Sequence, residues 1–245
     1  TQTWTAVSEL GHAKGKTKSK KVAVMTLSAV AGAVIGTVSL TQDAMAVVDV
    51  GRSKINISPD AKPENTYASP GRNNTDNTIM VGYQNSVRRG DDGAANGVIA
   101  IGANNNSDGD SALTLGNQNN AKGGAAVAIG AGSTAKGNAA LAVGNLANAT
   151  VIRSTAVGNN ANATADSASA YGNRANALGE FATAIGNLAN ASTQSATAMG
   201  NNASASGTDS VAISTNTVAS GKNAVAVGSY SKAEGRNGTA VGTTS

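Results

Sequence analysis

The sequence predicts an all-β fold, a parallel β-solenoid (β-roll) whose coils are fourteen residues long. Three observations predict it. An apolar phrase ending in glycine, Val-Ile-Ala-Ile-Gly at residues 98–102, returns as Ala-Val-Ala-Ile-Gly at 126–130, Ala-Leu-Ala-Val-Gly at 140–144 and Ala-Val-Ala-Val-Gly at 224–228. Its glycine keeps one fourteen-residue column, Gly102, Gly116, Gly130, Gly144, Gly158, Gly172, Gly186, Gly200, Gly228 and Gly242, with Ser214 in the single gap. Within each phrase large and small side chains alternate, which is the period of a strand. A unit this short buries no core of its own, so successive units must stack on one another.

The totals agree with a thin interior. The 245 residues include thirty glycines, three prolines, one Phe and one Trp, and only 2% are aromatic, too few to fill an ordinary core. The formal charge of +4 comes largely from Lys14, Lys16, Lys18, Lys20 and Lys21; beyond Ala46, thirteen Lys and Arg face twelve Asp and Glu, a balance of +1. Nucleic-acid binding needs a clustered basic face and is not expected. Cysteine is absent, and the one histidine, His12, stands near the N-terminus. Disulfides, thiolate chemistry and cysteine metal sites are therefore excluded.

Residues 1–46 read as an export signal. The five lysines precede an uncharged run at 22–40, and Ala44-Met45-Ala46 then places small residues where a signal peptidase reads them, the order of a secretory signal. The expected cleavage follows Ala46, which makes Val47 the mature start. At nineteen residues the run is also long enough to span a bilayer as a retained anchor, but its internal glycines and threonines dilute it. Ahead of the lysines, Trp4-Thr5-Ala6-Val7-Ser8-Glu9-Leu10 resembles the extended signal region of large Gram-negative autotransporters. No Met opens the chain, and we expect the gene product to begin before Thr1.

Residues 47–77 show no period and hold all three prolines, Pro59, Pro63 and Pro70. Proline removes a ladder donor, so an irregular leader is expected here. The repeats then occupy 78–245. Their first unit, Ile79-Met80-Val81-Gly82, stands twenty residues before Gly102, one period plus six. The surplus falls among residues 87–96, where Arg88, Arg89, Asp91 and Asp92 sit between glycines and alanines. Such insertions emerge as surface loops; a charged cap over the first strand and a ligand loop are both readings of this one.

The rest of the repeat follows from its columns. One residue before the anchoring glycine stand Ile101, Leu115, Ile129, Val143, Val157, Tyr171, Ile185, Met199, Ile213, Val227 and Val241, and the residue before each of these is small. Three before the glycine are Ile99, Leu113, Val127, Leu141, Val211 and Val225, with Thr or Ser elsewhere. The second half of each unit places alanine five residues after the glycine, Ala121, Ala135 and Ala149 for example, between polar neighbours. That is a strand with one wet face. Further glycines seven after the anchor, such as Gly109, Gly123 and Gly137, suggest a second tight corner with a positive backbone angle. Eleven coils at roughly 4.8 Å each give a rod of about 50 Å. A helical alternative fails, because a glycine every seven or fourteen residues would cost about 1 kcal/mol each.

If the small column fills the roll, the large aliphatic columns face outward as one apolar stripe. Full burial contributes roughly 1.5 to 3 kcal/mol per side chain, and a stripe of this size is not left in water. Parallel copies would bury it around a cyclic axis, so a homo-oligomer is expected, with Ile101, Leu115, Ile129, Val143, Val157, Ile185, Ile213 and Val227 at the subunit interface. Periodicity leaves two copies and three equally open.

The repeat resembles the Val-Ala-Ile-Gly head repeat of trimeric autotransporter adhesins, the YadA-like family, over residues 78–245. That resemblance implies a left-handed parallel β-roll, a side-by-side homotrimer, and display on the outer membrane of a Gram-negative bacterium to hold host extracellular matrix proteins or cell-surface receptors, with possible autoaggregation. It also implies a neck, a heptad stalk and a C-terminal membrane anchor. None of these is in the sequence, and Ser245 stands three residues into a new coil, so the chain is expected to be the N-terminal part of a longer adhesin.

Catalysis has little to work with. The part beyond residue 46 contains neither His nor Cys, which removes the usual general base, nucleophile pairs and metal ligands. Gly221-Lys222 lacks the upstream glycine of a phosphate loop, Asn216 standing there. No enzyme activity, cofactor or metal is expected. Thr155, Thr183, Thr197 and Thr239 share a column, but Val157, Ile185, Met199 and Val241 stand where an ice-binding array would repeat the threonine. Asn117, Asn145, Asn159, Asn173, Asn187 and Asn201 follow anchor glycines and read as turn residues. Adhesive contacts are expected from outward cations and aromatics, Lys122, Lys136, Arg174, Tyr230, Lys232 and Arg236, and from Arg88 and Arg89. The competing reading is a passive rod that spaces another binding domain from the membrane.

Overall fold

Strands with a buried small residue between two outward ones repeat along the chain and pair with their own counterparts one coil away. The computed structural model describes residues 47–49, 54–58, 66–68, 78–88 and 97–245, with side chains over 78–87 and 97–245. The expected signal, with Ala44 and Ala46, lies outside the described residues.

Each regular coil contributes one strand of three to five residues and one of two. Leu113–Asn117, Val127–Ala131 and Leu141–Asn145 are successive long strands, and Asn120–Ala121, Thr134–Ala135 and Asn148–Ala149 the short ones between them. The long strands form a 14-stranded sheet and the short ones a 12-stranded sheet. Register is strict: Val127 pairs Leu141, Ile129 pairs Val143 and Gly130 pairs Gly144. The backbone closes the same ladder from coil to coil, as Val127 N–H donates to Ala140 C=O at 2.9 Å and Leu141 N–H to Ser154 C=O at 2.9 Å. The result is a parallel β-solenoid of about 10 coils at ~14 residues per turn, without helix among the described residues. The strand Thr239–Val241 opens the further coil that brings the in-phase glycine column to Gly242.

The interior is two sheets thick and almost wholly alanine. Counted from the anchor glycine, the buried positions are two and four before it and three and five after it, as in Ala126, Ala128, Ser133 and Ala135. A buried methyl contributes only about 0.8 kcal/mol, so the core is weak per residue and the backbone ladders carry a large share of the order. The N-terminal end is wider than a purely small-residue filling predicts. Met80, Val87, Val98 and Ala100 form their own cluster there, next to a polar file absent from the sequence reading.

That file runs through Asn85, Asn105, Asn119 and Ser133, all buried. Asn119 Nδ2 donates to Asn105 Oδ1 at 3.1 Å, to Leu115 C=O at 3.0 Å and to Gly130 C=O at 2.8 Å, while its Oδ1 accepts from Ser133 N–H at 2.9 Å. Ser133 Oγ donates to Gly144 C=O at 2.7 Å, and Thr217 Oγ1 repeats the contact on Gly228 C=O at 2.7 Å. Between Ala147 and Ala203 the same column is alanine. Satisfied amides of this kind tie each coil to the next, and loss of one leaves buried polar atoms unpaired.

Two expectations give way here. The segment 47–77 was expected to be irregular, yet Lys54–Ser58 pairs in parallel with the first repeat, Lys54 to Thr78 and Ile57 to Val81, and Thr66–Ala68 pairs with Ser86–Arg88. Apolar residues alternate in the sequence of Lys54–Ser58 as they do in the repeats, and Pro59, Pro63 and Pro70 lie outside the described residues. Second, the corner glycines have different tasks. The anchor column takes positive φ, from 114° at Gly82 to 143° at Gly144, whereas Gly109, Gly123 and Gly137 do not. The left-handed residues of the second corner are two positions later, at Ser111, Ala125 and Ala139, with φ of 55–56°. Close approach explains the mid-coil glycines instead: a Cβ on Gly123 would fall on the Gly137 carbonyl of the next coil.

Gly144 combines both constraints, since its φ is positive and an added Cβ would strike the Gly158 carbonyl oxygen. Ser214 holds φ at 113° in the same column without being glycine. Gly144→Ala should therefore lower stability by at least about 2 kcal/mol, and Ser214→Gly should raise it by about 1 kcal/mol. Gly124→Ala, where the nearest atom is a side-chain oxygen at 3.7 Å, should be close to neutral in the same urea titrations. Asn119→Ala fits the column sterically, and we expect it to cost about 2 kcal/mol through the amide and carbonyl groups it strands; an unchanged midpoint would count against the polar file.

Candidate interaction surfaces

Because the residues flanking each buried alanine point away from the core, the long strands present two parallel outward files. The first runs through Ile129, Val143, Val157, Tyr171, Ile185, Met199, Ile213 and Val227, each aligned with the next by strand register. Ile101 and Leu115 continue it toward the N-terminus. Most members are half-buried by their axial neighbours, while Leu115, Tyr171 and Met199 are each 41% exposed. The second file is aliphatic at Ile99, Leu113, Val127 and Leu141 and again at Val211 and Val225. Between them it is polar, at Thr155, Ser169, Thr183 and Thr197. The apolar stripe is consequently broad toward both ends and one file wide in the middle.

The outer face of the short-strand sheet is amide-rich. Asn106 Nδ2 donates to Asn120 Oδ1 at 3.3 Å, and Asn148 Nδ2 to Asn162 Oδ1 at 2.9 Å. The asparagines that follow the anchor glycines also bond along the rod, Asn173 to Asn159 and Asn159 to Asn145, each at 3.2 Å. Asn159, Asn173, Asn187 and Asn201 stand in turns as expected, whereas Asn117 and Asn145 end their strands; the left-handed position is one residue later, at Leu146, Asn160 and Arg174. Their amides act between coils.

The cationic and aromatic candidates do not converge. Lys122 and Lys136 sit in one column of consecutive coils just beyond the short strand, and Lys232 lies on the short strand Lys232–Ala233 itself. Arg174 and Tyr230 occupy the first corner with φ of 53° and 62°, and Arg236 stands on the second. All six are exposed. The backbone of Arg88 ends the strand Ser86–Arg88, its side chain and the whole of Arg89 lying outside the described residues. Pairing of Val87 with Ser107 and of Ile99 with both Ile79 and Leu113 places the six-residue surplus between the strands Ser86–Arg88 and Ile99–Ala103.

A different charge pattern emerges, one not read from the sequence. From residue 97 onward, every charged residue except Arg174 and Lys232 falls six to nine positions after an anchor glycine or, for Lys222, after Ser214 in the same column, on or beside the second corner. Arg153 and Asp166 meet there across adjacent coils at 3.4 Å, with 63% and 36% of their side chains exposed. An exposed pair of this kind contributes at most about 1 kcal/mol, so the ridge is a solvated edge. The signal was available in the sequence: charge falls at positions six to nine after the anchor in most coils, while the strand positions before it carry none.

A family model described as YadA head domain repeat matches the chain in overlapping two-copy windows, over residues 121–147, 135–161, 149–175, 163–189, 177–203, 191–213 and 219–245. Successive windows start one coil apart up to residue 191, and the last starts two coils further on. No curated protein matches the chain.

Proposed function

Through residues 121–245 the chain belongs to the YadA-like family of adhesin heads, and we propose that it works as the adhesive head of a trimeric autotransporter on a Gram-negative cell surface. The family implies an adhesin-type surface function and a structural β-solenoid in place of an enzyme. Going beyond that, we infer a left-handed roll, three parallel copies, and attachment to host extracellular matrix or cell-surface receptors by many weak equivalent contacts. Export by the signal at residues 1–46 and tethering by an anchor outside this sequence complete the reading.

One observation carries the assembly: the unbroken outward file from Ile101 to Val227, in register from coil to coil and half-buried to exposed among the described residues. Copies in parallel around a three-fold axis would bury it. The polar faces then remain for ligand, and identical coils repeated at roughly 4.8 Å supply the multivalency that converts weak contacts into firm holding. The scatter of Lys122, Lys136, Arg174, Tyr230, Lys232 and Arg236 over several columns favours a second reading, in which these coils serve mainly as a spacer.

Two measurements separate these readings. Ile129→Glu together with Val143→Glu should turn a trimer into a monomer in light scattering while the β-sheet circular dichroism persists; persistence of the trimer would remove the stripe from the interface. Reversing charge at Lys122, Lys136, Lys232 and Arg236 together, in trimers that remain folded, should cut retention on collagen-, fibronectin- or laminin-coated surfaces by at least about tenfold. Retention by the parent trimer that survives this reversal would move the adhesive site elsewhere, and a parent trimer that binds none of these surfaces or host cells would make the rod a spacer.

A further inference from the structure

The left-handed corner positions carry residues that the fold itself does not ask for. In two columns, two and nine residues after the anchor position, φ lies at 51–67° in every regular coil, a conformation that favours Asn, Gly or small residues and penalises bulky ones. Most coils comply. The first corner is bulky at Leu146, Arg174, Leu188 and Tyr230, and the second at Arg153 and Phe181.

Both exceptions at the second corner occur in coils whose first corner is also an exception. The coil after Gly144 carries Leu146 on one corner and Ile152 with Arg153 on the other. The coil after Gly172 carries Arg174 on one and Glu180 with Phe181 on the other. Leu146 is 54% exposed, Ile152 47% and Phe181 52%, so these side chains gain little from their own chain. Among the described residues neither Arg174 nor Glu180 forms an ion pair. The two corners of one coil stand at opposite ends of the short strand, separated by six residues of nearly extended chain, on the order of 15–20 Å. They do not compensate each other within a chain.

We propose that the first corner of one copy packs against the second corner of the next at the same coil level, with Leu146 on Ile152 and Arg174 on Glu180 and Phe181. This rests on the trimeric reading above. In a parallel three-fold assembly every copy presents its first corner to its neighbour's second corner, and rotation alone keeps equal coils at equal height. Complementary pairs should therefore appear within single coils, which is where they are found. Arg174 meets a carboxylate and an aromatic face, an ion pair with a cation–π contact. The coil after Gly186 carries Leu188 on its first corner with only Gln194 and Ser195 on its second, so the pairing rests on the coils after Gly144 and Gly172. The seam flanks the apolar stripe on both sides and locks the copies against axial slippage, which a stripe of interchangeable Val and Ile leaves unopposed.

The chain contains no cysteine, which gives a clean test. A chain carrying Arg174→Cys and Glu180→Cys, mildly oxidised, should convert mostly to covalent dimers and trimers on non-reducing gels, since disulfides need Cα atoms about 4.4–6.8 Å apart. Leu146→Cys with Ile152→Cys should do the same. Asn202→Cys with Glu180→Cys, two coils out of level, should remain monomeric on the gel. As a second readout, Arg174→Glu or Glu180→Arg alone should lower the trimer's melting temperature, and the two together should restore it. Trimers in light scattering that cross-link at neither matched pair, or that cross-link best at the displaced pair, would overturn the seam and leave the trimer standing. Monomers of the parent chain in light scattering would overturn both.

Discussion

The close axial approach of successive backbones governs this molecule. Parallel strands from neighbouring coils lie one ladder spacing apart along the whole rod, and at the anchor column the carbonyl of the next glycine occupies the space where a Cβ would be. Glycine there follows from contact as much as from backbone angle. The same compression fixes the interior: two sheets this near each other leave room for methyl groups, so alanine recurs at four positions in most coils. A core of this kind supplies little apolar burial per residue. Large aliphatic side chains consequently have no place inside and are carried outward.

That displacement divides the surface by sheet and corner. The long-strand sheet presents the apolar files, the short-strand sheet presents hydrogen-bonded amides, and nearly all charge collects on one corner. A rod with this partition is polarised around its circumference while remaining uniform along its axis. Uniformity along the axis suits repeated weak contacts; polarity around it suits burial of one side against like copies. The buried file from Asn85 to Ser133 departs from this uniformity and gives the N-terminal coils a polar seam that the middle coils lack.

Much of this was legible in the sequence because the period is strict. The glycine column, the large and small alternation before it and the alanines after it were each sufficient to place strands and to say which side chains face out. What escaped detection depended on facts that alternation does not encode. Asn105 and Asn119 carry no sign of burial in their residue type, and only their recurrence at a position otherwise filled by buried alanine marks them as interior. The mid-coil glycines were read for backbone angle, whereas the left-handed residues are Ser111, Ala125 and Arg153, types that carry no turn signature. Lys54–Ser58 escaped because its partner lies 24 residues ahead at Thr78, outside the regular period. The cations were taken as one face because alternation assigns in or out but says nothing of which corner a residue occupies.

The strict register has a consequence for how such a molecule changes over generations. Each regular coil touches only the coil above and the coil below, and the residues that meet across every junction are nearly the same ones. Loss or duplication of a whole period by recombination between these near-identical coding segments would leave every remaining junction intact. Reach from the cell is thus a heritable quantity adjustable in single-coil increments, while a change that is not a whole period must be looped out between strands, as the six surplus residues between Ser86–Arg88 and Ile99–Ala103 are, to keep Gly82 in register with Gly102.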